Sequence, residues 1–207
     1  MTIYSFLELF IVIGIALYAN LTLVKEKHHN WIKYYCLVNA ILGGIAATLA
    51  LNKISNLIII YMLIWIEVYL LSIYFRKVSS NVVKLPEFLS LSIIYSILII
   101  IHLLLESLNS FSPYSRIFEG IIVFCYCTLY FIEQAKTPKE PLIFLNPNFW
   151  FVSGFMIYYG GTWLILASSQ YFINDKGLFI YLWDLHNIIS ILKYVSIGIG
   201  FYLIKRR

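Results

Sequence analysis

Residues 57–75 read Leu-Ile-Ile-Ile-Tyr-Met-Leu-Ile-Trp-Ile-Glu-Val-Tyr-Leu-Leu-Ser-Ile-Tyr-Phe. This stretch carries one charge, Glu67. It matches the roughly 20 helical residues, rising about 1.5 Å each, that cross a hydrocarbon layer about 30 Å thick. The unbroken apolar run Leu57 to Ile60 is unlike the alternating segments of an outer-membrane barrel. Six further segments qualify by the same reading: Tyr4–Val24, Trp31–Leu51, Leu89–Glu106, Ile117–Gln134, Phe149–Phe172 and Leu178–Ile204. The expected fold is all-α, a polytopic membrane protein made of one seven-helix bundle over residues 1–207. The loops are short, which favours antiparallel neighbours.

Composition agrees. Of 207 residues, 61% are apolar and only 12% charged, against about 25% charged in a soluble domain. The mean hydropathy is +0.85. One soluble core of this size cannot hide so much apolar surface. A disordered chain and a disulfide scaffold are also excluded, the latter because there are three cysteines. Cys36, Cys125 and Cys127 are expected to pack, and the last two point to different sides of one helix. Pro86, Pro113, Pro138, Pro141 and Pro147 are all expected between spans, since a helix interior loses a hydrogen bond at proline. The first span reads as a permanent helix: no Lys or Arg precedes Lys25, and no small-residue cleavage site follows.

Basic residues set the orientation. Lys25, Lys27, Lys33, Arg76, Lys77, Lys84, Lys136, Lys139, Lys205, Arg206 and Arg207 fall on one side. Lys53, Arg116 and Lys176 fall on the other, and Lys193 lies within the seventh span. The N-terminus is therefore expected outside and the C-terminus in the cytoplasm, in the cytoplasmic (inner) membrane. The net charge of +5 then meets anionic membrane lipid rather than nucleic acid.

Ionisable groups at bilayer depth are costly and mark the places where chemistry concentrates. Glu67 sits near the middle of the third span, and Lys193 near the middle of the seventh counted from Leu182. A buried Glu67–Lys193 pair is expected, either as a clamp between helices or as a gate or ligand counter-ion. Glu8, His102, Asp184 and His186 lie nearer the outer ends. Glu106, Glu119 and Asp184 are expected to reach water there. His186, Ser190 and Lys193 share one helical face at i, i+4, i+7. The candidate ligand-binding residues are thus Glu67, Lys193, His186, Ser190, His102, Glu8 and Tyr158. No catalytic residue, metal ligand or cofactor is assigned, although two histidines and a carboxylate could in principle take a metal.

Other polar features read as packing or interface. Asn39, Gly43 and Ala47 make a small-residue face on the second helix, and Gly154 and Gly161 lie one heptad apart on the sixth. Trp31, Trp150 and Trp183 suit the interfacial belts. His28 and His29 are expected to be solvated in a loop.

No P-loop, G-x-S-x-G, H-E-x-x-H or C-x-x-C occurs. The chain resembles a group of small seven-helix bacterial membrane proteins that occur alone, beside, or fused to sensor histidine kinases. The similarity lies in Asn56 to Glu67, in Ser112-Pro113-Tyr114-Ser115-Arg116-Ile117, and in Leu145-Asn146-Pro147-Asn148-Phe149-Trp150 followed by Val152 to Tyr159. It implies a sensory or receptor-like module. With no kinase attached, output is expected to pass to a cytoplasmic signalling partner, and a homo-oligomer is a further expectation. The leading reading is a non-enzymatic sensory or interaction module. The alternatives are an oligomeric membrane pore or effector, and an intramembrane lipid hydrolase using His186, His102 and carboxylates.

Overall fold

A computed structural model of the protein describes residues 2–79, 93, 94, 97, 114–138, 142–172 and 176–206. These hold six α-helices: α1 (Ile3–Leu21), α2 (His29–Leu51), α3 (Leu57–Val78), α4 (Tyr114–Lys136), α5 (Pro147–Phe172) and α6 (Lys176–Arg206). Each is long and apolar enough to cross a membrane, and no strand occurs among the described residues. The expected fourth span, Leu89–Glu106, lies outside the described residues except for helical positions 93, 94 and 97. His102, Glu106, Pro86, Pro113 and Pro141 lie outside them too.

Local chemistry explains the helix ends. Thr2 caps α1 by accepting from the Ser5 amide. At the other end of α1 the Thr22 hydroxyl donates to the Tyr18 carbonyl, and the Lys33 ammonium donates to the Thr22 carbonyl. Lys53 adopts the left-handed conformation (φ 58°). The Ile54 amide then returns to the Leu49 carbonyl at 2.9 Å and the Lys53 amide to Ala50 at 3.0 Å. That Schellman turn stops α2 and sends the chain into α3. Pro147 falls inside a helix rather than between spans, a correction to the sequence reading. It occupies the first position of α5, where its missing N–H breaks no intrahelical bond.

The six helices form a ring in chain order. Each packs on the next, and α6 closes on α1. Aromatic side chains fill the centre: Tyr35 meets Phe155 edge-on at 5.2 Å, and Phe151 meets Phe201 at 5.1 Å between centroids. The polarity is that of a bundle in oil. Phe10, Leu17, Ile58, Trp65, Tyr69 and Leu192 are exposed, while Glu67, Glu119 and Lys193 are buried. Close approach of α5 and α6 depends on Gly154, whose absent Cβ would sit 2.9 Å from both the Lys193 carbonyl oxygen and Ser196 Cβ. Gly161 lies one heptad on and faces Ile189, so the small-residue face of this helix does meet a neighbour.

Candidate functional site

One end of the ring encloses a cavity of about 320 Å³ that all six helices line. This lies at the low end of the roughly 300–1,000 Å³ of small-molecule sites. Each helix sends a polar group to it. α1 brings Ser5 and Glu8, and α2 brings Asn39. Glu67 comes from α3, Arg116 from α4 and Tyr158 from α5. α6 adds His186, Asn187, Ser190 and Lys193. Six of the seven expected site residues therefore share one cavity, and the seventh, His102, lies outside the described residues.

The pairing inside differs from the sequence reading. Glu67 does not pair with Lys193; its Oε2 accepts from Arg116 Nη1 at 2.7 Å. The same Nη1 donates to Glu119 Oε2 at 2.9 Å, and the Tyr159 hydroxyl donates to Glu119 Oε1 at 3.2 Å. Arg116 is thus a bridge between two carboxylates that are 2% and 0% exposed. Glu119 was expected at the water-filled mouth and is instead fully buried. The reason is helix rotation: the i, i+3 spacing puts Arg116 and Glu119 on one face of α4, and that face turns inward.

Lys193 has a different environment. Its ammonium donates to the Tyr35 hydroxyl at 2.9 Å and sits 3.7 Å from the Tyr158 ring centroid and 4.4 Å from that of Tyr194. Rings and a hydroxyl solvate the charge without neutralising it. Ser190 and the half-buried Glu8 line the same cavity. Asn187 donates to Ser5 Oγ at 3.0 Å and so ties α6 to α1. His186 stacks on Trp183 at 5.3 Å, and its Nδ1 has no hydrogen-bond partner among the described residues. The cavity wall therefore presents Glu67 and Arg116, two members of the bridged triad, on one side. On the other it presents an ammonium and a carboxylate that share no ion pair.

The opposite end of the ring corrects a second expectation. His29 is buried, not solvated in a loop, and shares a hydrogen bond with Asn148 Oδ1 at 3.2 Å. Tyr74 donates to the same oxygen at 2.9 Å. Nothing in the composition of the His28-His29 pair signals this. The cue lies in the distant Asn148.

Six apolar helices with polar groups turned inward make this a multi-pass membrane protein. No family model, no curated protein and no solved structure matches the chain.

Proposed function

We propose that this protein is a non-enzymatic sensory module of the cytoplasmic membrane that takes a small zwitterion, of the amino-acid class, in the cavity at the outer end of the bundle. In this reading Leu89–Glu106 completes a seven-helix bundle with the N-terminus outside and the C-terminus in the cytoplasm, as the bias of basic residues argues. The observation that carries the reading is the cavity wall itself. Lys193 and Glu8 line it without forming an ion pair with each other or with another described residue. An ammonium held this way matches the anionic group of a ligand, and Glu8 matches its cationic group. Trp183 and His186 offer an aromatic face beside them. The absence of a catalytic motif supports binding over turnover.

Ligand binding would shift the packing of the ring by its difference in affinity between two arrangements. The basic tail of α6 and the cytoplasmic loops would pass that shift to a signalling partner. The resemblance to membrane proteins found beside sensor kinases fits such a role.

The test is a thermal-shift panel on the purified protein in nanodiscs, with free amino acids, dicarboxylates and simple amines as probes. At least one amino acid should raise the unfolding temperature with increasing concentration. Lys193→Met should abolish that rise while keeping the helical circular-dichroism signal. A panel that leaves the wild type unmoved, or a rise that persists in Lys193→Met, defeats the reading. Ion conductance by the protein in liposomes would favour a pore instead.

A further inference from the structure

The end of the bundle opposite the zwitterion cavity carries a second constellation, independent of the first. Glu26 and His28 lie in the connection from α1 to α2, and His29 opens α2. One ligating atom from each lies within 4.8 Å of the other two. His28 Nε2 is 3.0 Å from Glu26 Oε2. We infer that Glu26, His28 and His29 form a binding site for a divalent transition metal ion, with zinc as its type.

Two imidazoles and one carboxylate are the donor set that such ions favour over calcium or magnesium. Bonds of about 2.0–2.1 Å in a tetrahedron place ligands roughly 3.3 Å apart. With the donors within 4.8 Å of one another, the widest pair closes by at most about 1.5 Å to reach that separation, which the side chains of Glu26 and His28, neither of them buried, can supply. The surroundings fit a built site. Asn148 holds His29 at 3.2 Å and is itself fixed by Tyr74. With His29 Nε2 engaged by Asn148, His29 would ligate through Nδ1, and Asn148 would act as the outer partner that orients the ring.

A cavity of about 240 Å³ adjoins all three donors. Two buried polar groups that line it, the Tyr130 hydroxyl and Gln134 Nε2, have no hydrogen-bond partner among the described residues. They suit water molecules completing the coordination of an ion. Among the described residues, Lys77 is the only Lys or Arg that lines the cavity, and it is exposed. An ion here would tie the α1–α2 connection to the start of α5 through Asn148.

The experiment uses the full chain in detergent, freed of any histidine tag and stripped with a chelator. Cobalt(II) is titrated first, read by its visible ligand-field bands, and zinc then competes it away. One ion per chain is expected. His28→Gln and Glu26→Gln change accessible side chains (20% and 58% exposed) and, as losses of direct ligands, should each weaken binding by at least the roughly 10–100-fold that loss of an outer partner costs. The double variant should lose the bands while Lys193→Met keeps them. No cobalt bands at millimolar metal, or unchanged affinity in the double variant, overturns the site.

Discussion

Arg116→Leu is expected to destabilise the protein by about 3–5 kcal/mol, the range for breaking a buried ion pair by removing one partner. The variant removes the cation that, among the described residues, bridges Glu67 and Glu119. Two carboxylates, 2% and 0% exposed, would be left facing each other without a cation. Denaturant unfolding in mixed micelles reads the loss. The triple replacement Glu67→Met, Arg116→Leu, Glu119→Met provides the contrast. It removes the charges with their bridge, and should recover most of the stability because well-packed apolar groups often replace a buried ionic triad at little cost. If Arg116→Leu unfolds within about 1 kcal/mol of the wild type, far below that range, the bridge does not hold the helices.

Gly154→Val should cost about 1–3 kcal/mol, typical of overpacking a filled interior. The clash is with atoms that cannot turn away: the Lys193 carbonyl oxygen at 2.9 Å and Lys193 Cα at 3.4 Å belong to the backbone of α6. Relief requires α5 and α6 to separate, which also moves the Lys193 ammonium away from the Tyr158 ring. Gly154→Val should therefore weaken amino-acid binding in the thermal-shift panel as well as stability. Gly14→Ala is the control. A Cβ there meets nothing within 4 Å, so a neutral effect or a gain of up to about 1 kcal/mol is expected. Equal losses in the two variants would mean that close helix approach is not what Gly154 serves.

The helices were legible because apolar runs bounded by turn residues set their length directly. Leu57–Phe75 was expected and Leu57–Val78 is observed; Trp31–Leu51 was expected and His29–Leu51 is observed. The extra residues are His29 and Asn30 in one helix and Arg76, Lys77 and Val78 in the other, and hydropathy assigns such polar or basic stretches to loops. The shared cavity was partly legible, since depth along a span follows from counting. Glu67 and Lys193 do lie in one cavity.

Their partners were not legible. Depth says nothing about rotation about a helix axis, and rotation decides whether Arg116 and Glu119 meet water or Glu67. His29 shows the same limit: its place next to the chain turn suggested solvent, while Asn148, 119 positions away, draws it inside.

From its residues alone this chain is committed to cross lipid repeatedly as helices, because no other backbone arrangement of such apolar segments satisfies its amides there. Those residues also commit it to hiding a few charges at mid-depth. Tertiary packing decided how the charges are shared: a guanidinium with two carboxylates, and an ammonium among aromatic rings. That choice depends on which faces of six helices meet when the ring closes, a long-range outcome that no local stretch of sequence encodes.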